Sequence, residues 1–265
     1  MARFCPLFSG SVGNSYYIGS SEKGILIDAG RSAKQLENML EKCGIDISAV
    51  KAIFITHEHS DHVKGLRVFA SRYGLPVYAS GGTMSSLDKM GCLNGSKFKS
   101  CVISDSGVEC AGLEVMPFRT SHDSAESIGY SIKTSDQRKI AVCTDIGYMS
   151  SEVHESLCGT DMAVLESNHD VGMLENGPYP YSLKRRIMSE TGHLSNMDCA
   201  AELCRLAKKG TTRFVLVHLS EHNNTPELAF QTSLCSLSLM GLQKGTDFEL
   251  YVAPKENIFG KSIYF

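Results

Sequence analysis

Apolar residues along the chain fall into two kinds of block, and the blocks divide it into strands and helices. Short runs of branched and aromatic residues read as buried strands: 24–29, ending in Asp28-Ala29, then 52–55, 76–80, 162–165 and 213–217. Between them apolar residues recur at helical spacing. Ala33, Leu36, Met39 and Leu40 predict a helix from Ser32 to about Cys43, stopped by Gly44. Val63, Leu66, Val68, Phe69 and Tyr73 predict another, closed by Gly74, and 82–91, 151–157, 197–209 and 226–241 read as helices too. Short strands crowd 98–103, 107–110, 113–118, 128–134 and 139–144, with two more near 247–252 and 262–265. Segment 174–196, interrupted by Gly177-Pro178-Tyr179-Pro180-Tyr181, shows no regular period. Two β-rich runs, each interrupted by helices and without a linker between them, predict one domain over residues 1–265. Its class is α/β, with two sheets inside and helices outside in a four-layer αββα sandwich.

Composition narrows the picture modestly. A chain of 265 residues can bury a full core, and 26 Lys+Arg against 29 Asp+Glu gives no global basic excess that would mark a nucleic-acid binder. No run of about 18 apolar residues exists, and Met1-Ala2-Arg3-Phe4-Cys5-Pro6 lacks the long apolar region of a signal peptide. The expectation is a cytoplasmic chain without a membrane partner. Ten scattered cysteines without a C-x-x-C pair read as reduced thiols, not as a disulfide framework or a separate zinc site.

The chemistry gathers at strand ends. Thr56-His57-Glu58-His59-Ser60-Asp61-His62 follows the 52–55 strand directly, with three imidazoles and one carboxylate in a loop. Imidazole and carboxylate together suit zinc, and also manganese or iron. Further strand ends carry His122, Asp145 and His218. Each alone fits a bland role, a capping aspartate or a satisfied histidine. Strands of a layered core end at common edges, so these side chains can converge. Five imidazoles and two carboxylates are enough for two cations and too many for one tetrahedral site. The small-residue stretch Ser9-Gly10-Ser11-Val12-Gly13-Asn14-Ser15 fits a tight hairpin turn, and its backbone also suits close approach to a phosphate.

His57-Glu58-His59-Ser60-Asp61-His62 resembles the H-x-H-x-D-H loop of the metallo-β-lactamase superfamily. The resemblance covers nearly the whole chain, with Asp28, His122, Asp145 and His218 in the family's order. It implies that His57, His59 and His122 hold one divalent cation, that Asp61, His62 and His218 hold a second, and that Asp145 bridges them. Asp28 would orient the histidine loop by hydrogen bonds. A hydroxide between two cations about 3.5–4 Å apart would attack phosphorus, with Asp61 orienting it or taking its proton. Zinc, manganese or iron would serve.

Oxygen-reducing di-iron relatives carry glutamate in place of the second histidine, whereas this chain has His59. The β-CASP nucleases need a long insertion before the last histidine, and only 72 residues (146–217) separate Asp145 from His218. The cyclic-phosphodiesterase relatives often carry a cysteine-rich zinc motif that this chain lacks. Ser9–Asn14, Gly192-His193-Leu194-Ser195-Asn196 and His218-Leu219-Ser220-Glu221-His222-Asn223-Asn224 are similar to the compact YycJ/WalJ-like branch of DNA exonucleases of 5′-to-3′ type. That resemblance implies a ring of Asn168, His169, His193 and His222 that grips phosphate or protonates the leaving oxygen. Ser11, Asn14, Ser195 and Asn196 would serve as substrate donors. Lys184-Arg185-Arg186 reads as an ordinary solvated helix face or as a contact to DNA phosphates, with Tyr179 and Tyr181 able to stack on a base. A small-molecule hydrolase acting on a cyclic phosphodiester, thioester or lactone is the alternative. A non-catalytic nucleic-acid scaffold is disfavoured by the complete set of seven ligand types.

Overall fold

In a strand covered on both faces, every position must be apolar, and the central strands of this protein follow that rule. The computed structural model describes residues 2–265. One sheet holds β1 (Arg3–Phe8), β2 (Ser15–Gly19), β3 (Gly24–Ile27), β4 (Val50–Phe54), β5 (Val77–Ala79) and β6 (Ser100–Val102). The other holds β7 (Val108–Cys110), β8 (Leu113–Arg119), β9 (Ile128–Thr134), β10 (Lys139–Cys143), β11 (Met162–Glu166), β12 (Arg213–Val217) and β13 (Glu249–Val252). The last strand, β14 (Ile263–Tyr264), returns to pair with β1, so the sheet orders are β14-β1-β2-β3-β4-β5-β6 and β13-β12-β11-β10-β9-β8-β7.

Alternation along these strands divides the apolar side chains among three layers. Ile18, Ile25, Ile27 and Phe54 of the first sheet meet Tyr130, Val142, Val164 and Val215 of the second between the sheets. Phe54 stacks on Tyr78 with ring centroids 4.8 Å apart and meets the edge of Tyr130 across the interface at 5.5 Å. Truncating so central a ring to alanine would cost about 3–5 kcal/mol. Tyr17, Leu26 and Ile53 point the other way, onto α1 (Ala33–Lys42) and α3 (Leu66–Tyr73), with α2 (Ser60–Val63) and α4 (Gly81–Lys89) completing that side. Phe214, Leu165 and Ala163 likewise cover α5 (Ser151–Leu157), α8 (Asn196–Ala207) and α9 (Pro226–Leu239). The result is a four-layer αββα sandwich.

Two details differ from the expected elements. The helix expected from Val63 to Tyr73 is broken at Gly65, whose N–H leaves the helical ladder for the Ala29 carbonyl at 2.9 Å; an added Cβ there would lie 2.0 Å from the Arg31 carbonyl oxygen, so no side chain fits. Segment 174–196, expected to be irregular, contains the end of α6 (Val171–Asn176) and all of α7 (Tyr181–Ile187). Asp170 caps the first, accepting from the Met173 N–H at 2.8 Å, and Pro180 precedes the second, a favourable place for a residue without an N–H.

Strands β3, β4 and β5 run parallel, as do β10, β11 and β12. Strand β8 joins them by two antiparallel steps through β9. Their C-terminal ends therefore share one rim of the sandwich, and the polar loops collect there.

Candidate metal centre

Three residues at that rim turn the backbone in a way that L-residues resist. Asp28, Asp145 and His218 follow β3, β10 and β12 with φ of 62°, 54° and 54°. Among the described residues the other non-glycine positions with positive φ are Ala111 and Gln137, in turns between strands. Left-handed backbone is costly for such residues and survives where surrounding contacts hold it. Here it swings each side chain out of its strand line into the cleft between the sheets.

Asp28 shows what holds the histidine loop. One carboxylate oxygen accepts from the Thr56 N–H at 2.8 Å, and the other accepts from the Thr56 hydroxyl at 2.9 Å and faces His62 Nδ1 at 2.7 Å. The loop is thus tied to one buried carboxylate near both ends. Gly30 lets the neighbouring chain press in, because an added Cβ would lie 1.7 Å from the Asp61 carbonyl oxygen. The Ser9–Ser15 stretch is a turn, with the Gly13 N–H on the Gly10 carbonyl at 3.0 Å, and it also braces the ligands. The Asn14 N–H donates to the Asp61 carbonyl at 2.8 Å, and its side-chain amide lies 3.2 Å from the Asp61 carboxylate and 3.1 Å from His62 Nε2. Ser9 Oγ accepts from the His218 N–H at 2.9 Å. Ser11 lies exposed at the tip.

Four overlapping groups of donor atoms converge, among them Asp145, Glu166, His193 and His218, and two of the four consist of the expected ligand sets. His57, His59 and His122 each bring one ligand-type nitrogen within 4.8 Å of the others, as do the nitrogens and carboxylate oxygen of Asp61, His62 and His218. Asp145 stands between, with Oδ1 3.7 Å from His122 Nε2 and Oδ2 3.2 Å from His62 Nε2. On the far side Asp61 Oδ2 lies 3.4 Å from His62 Nε2 and 3.7 Å from His218 Nε2.

The electrostatics of the two groups differ. Burial pushes the His57 imidazole well below its ordinary pKa, and burial also lowers His122, so both stand neutral with a lone pair to give. Burial works against charge on His62 and His218 as well, but the carboxylates around them prevail. Asp145, Asp28 and Asp61 raise His62 well above the usual histidine range, and Asp145 with Glu166 raises His218 to about 10. The centre therefore attracts positive charge strongly. His57 Nε2 is buried with no hydrogen-bond partner, which would cost about 1–3 kcal/mol were nothing to use it. A cation held by His57, His59 and His122 would take up that lone pair. The donor set fits divalent metal ions.

Two carboxylates not singled out in the sequence complete the picture. Glu166, the last residue of β11, is fully buried; one oxygen faces His193 Nδ1 at 2.8 Å and His218 Nδ1 at 3.1 Å. The other accepts from the Ile146 and Leu194 N–H groups at 3.0 and 3.1 Å. Burial would raise its pKa, but His193 and His218 overcome this and hold it at about 2. Its signal was a carboxylate closing an otherwise continuous apolar strand. Asp123 lies with Oδ1 3.4 Å from His122 Nε2 and 3.9 Å from His59 Nε2, and it accepts from Arg186 Nε and Nη2, along one guanidinium edge, at 2.5 and 3.0 Å.

The outer ring divides. His193 sits 5.1 Å from the His122 ring and 5.3 Å from the His218 ring, spanning the open side of both groups. His222 is exposed on the rim beside Tyr179, ring centroids 5.8 Å apart. Arg185 and Arg186 are exposed, while Lys184 donates to the Glu175 carbonyl at 2.8 Å. Asn168, His169, Ser195 and Asn196, expected as substrate contacts, turn inward instead. Asn168 donates to the His218 carbonyl at 2.9 Å, Asn196 pairs reciprocally with Asn224 at 2.9 Å, Ser195 caps α8, and His169 is buried with its carbonyl on the Asn196 N–H. Asn168, Ser195 and Asn196 are also part of the scaffold under His218 and His193, because buried polar groups must find partners and these find them within the protein. Asn14 is buried in the same way.

A four-layer αββα sandwich with this histidine and aspartate rim defines the metallo-β-lactamase-fold class of metal-dependent hydrolases. Residues 23–219 match the family model described as the Beta-lactamase superfamily domain, and the chain belongs to that family. It is 40% identical over 249 residues to exodeoxyribonuclease YycJ of Bacillus anthracis, covering 94% of each chain. It is 35% identical over 251 residues to exodeoxyribonuclease WalJ of Streptococcus pneumoniae, covering 94% of this chain and 93% of that one. Zinc-bound PqqB from Methylobacterium extorquens shares the fold with a TM-score of 0.74 at 17% identity, over 99% of this chain and 100% of that one. Among the described residues no helix is long and apolar enough to cross a membrane.

Proposed function

We propose that the chain is a two-metal phosphodiesterase that removes nucleotides from an end of DNA in the 5′-to-3′ direction. The observation that carries this reading is the pair of three-donor groups facing each other across Asp145. His57, His59 and His122 would hold one cation and Asp61, His62 and His218 the other, and Asp145, which reaches donors of both groups, would be shared by them. Zinc or manganese suits these donors, and iron is admissible. A bound pair of such ions supplies a water nucleophile at neutral pH and a clamp for the oxygens of an in-line phosphoryl displacement.

The remaining work falls to the chain's own groups. Asp61, with Oδ2 at 3.4 Å from His62 Nε2 and 3.7 Å from His218 Nε2, would orient that water or take its proton. The leaving oxygen of a phosphodiester is an alkoxide and needs a proton. His193 is fixed through Nδ1 by Glu166, and Glu166 and Asp145 raise its pKa against the effect of burial, so it would donate from Nε2. Arg185, Arg186 and Lys184 of α7 meet backbone phosphates, with Arg186 set above the first donor group by Asp123. His222 beside Tyr179 offers a polar and stacking edge on the rim. The choice of DNA is supported by two relatives named as exodeoxyribonucleases, each aligned over nearly its whole length.

The test is degradation of 5′- and 3′-labelled single-stranded and duplex DNA, with RNA, a lactone and a thioester alongside. The metal-stripped protein is reconstituted separately with Mn²⁺ and Zn²⁺. Mononucleotide release from the 5′ end of DNA is expected. Lactone or thioester hydrolysis far faster than any phosphodiester reaction would overturn the reading.

A further inference from the structure

A second chemical constellation lies outside the metal centre. Cys158 Sγ stands 3.3 Å from His154 Nε2, and His154 Nδ1 stands 2.5 Å from Glu202 Oε1. The three residues come from two elements: His154 lies on α5, Cys158 closes its C-terminal end, and Glu202 projects from the middle of α8. The Glu202 side chain is 1% exposed, in a layer otherwise built from Val153, Leu157, Cys199, Leu203 and Leu206. A carboxylate so placed is costly unless its partners are good ones. Its second oxygen accepts from Arg205 at 2.9 Å, and its first fixes the His154 ring. With Nδ1–H on the carboxylate, Nε2 is left as a proton acceptor directed at the thiol. The order is nucleophile, base and orienting acid.

We infer that Cys158 is a reactive thiol that exchanges with small disulfides, a modification site independent of the metal centre. In that exchange the Cys158 proton passes to His154 Nε2 as Sγ attacks one sulfur of the disulfide. The disulfide's S–S bond breaks, Cys158 retains one half as a mixed disulfide, and the other half departs as thiolate and takes the proton from His154 as a free thiol. The disulfide is the oxidant, and the balance needs no other reagent. The base is essential to this assignment. Cys158 sits at the C-terminal end of α5, where the helix dipole gives an anion no support, so activation must come from His154 and Glu202. Both His154 and Cys158 are half-buried and reach solvent. Cys143 and Cys199, by contrast, are fully buried, and burial pushes their thiols up. Cys158 is also remote from the chemistry at the rim: β11 begins four residues after it and carries Glu166 at its opposite end.

The chain supplies its own control, since Cys235 is the more exposed thiol and has no imidazole beside it. The full-length protein is incubated at pH 7 with glutathione disulfide, and modification at each cysteine is followed over time by peptide mass spectrometry. Cys158 is expected to form its mixed disulfide roughly tenfold or more faster than Cys235. H154Q is expected to bring Cys158 to the rate of Cys235 or below without changing Cys235, and E202Q to move it the same way. A Cys158 rate at or below that of Cys235 in the unmodified sequence, or one unaltered by H154Q, overturns the inference. Should either variant fail to fold by circular dichroism, the ratio in the unmodified sequence decides alone.

Discussion

His57, His59 and His122 reach Asp145 from one side, and Asp61, His62 and His218 from the other, but the two groups are built differently. The first consists of imidazoles alone. Burial keeps two of them neutral, and the His59 side chain remains 32% exposed. Beneath it the supports are neutral: the Thr56 hydroxyl meets His57 Nδ1 at 3.0 Å, and His122 Nδ1 rests on the Gly192 carbonyl at 3.1 Å. In the second group each ligand has a polar side chain behind it. Asp28 holds His62, Asn14 holds Asp61, and Glu166 faces His218. One half offers ready lone pairs on a neutral frame, and the other carries a frame dense in negative charge. Such framing residues tune both ligand orientation and metal affinity, so the second half should hold its cation more tenaciously and the first should exchange more readily.

Asp145→Ala attacks what the halves share and has the largest expected effect. DNA hydrolysis falls to background, and elemental analysis of the dialysed protein shows loss from both positions. Retention of a full equivalent at either position would mean that the halves do not depend on a common bridge. Next comes His193→Ala, which removes the proposed proton donor and leaves the seven proposed ligands in place. The turnover rate should fall by about 10²–10⁴-fold with metal content unchanged; a comparable fall in metal content would make His193 a ligand instead. Asp28→Asn separates the halves directly. It should weaken binding of the cation at Asp61, His62 and His218 by about 10–100-fold and weaken the other less, through Thr56 and His57, measured by competition with a chelator of known affinity. Equal weakening of both would erase the distinction. The smallest effect belongs to Arg185→Ala on the exposed face of α7. Affinity for DNA should drop alike for all sequences, and the slope of log affinity against log salt should become shallower by about 1. An unchanged slope would return Arg185 to an ordinary solvated position.

The ligand loop was legible because it is local: three histidines and an aspartate within six residues need no tertiary information to be noticed. His122, Asp145 and His218 were legible because each follows a strand whose apolar pattern is plain. Glu166 was not, since a carboxylate at a strand end looks the same in sequence whether it caps a turn or lies buried between two imidazoles. Asp123 was hidden similarly, as its role depends on α7 crossing above it. Asn168 and Asn196 teach the converse. Their residue types suit a phosphate, but sequence does not give the direction a side chain points, and these two point into the scaffold. The layers were readable from alternation, whereas the break at Gly65 goes with its N–H bonding the Ala29 carbonyl, which no window around Gly65 contains.

The central claim is that two cations sit on either side of one aspartate. Anomalous diffraction from crystals of the metal-loaded protein, collected at the absorption edge of the bound element, tests it most directly. Two peaks are expected, one among His57, His59 and His122 and the other among Asp61, His62 and His218, with Asp145 between them. A single peak, or peaks away from these side chains in an active preparation, would contradict it.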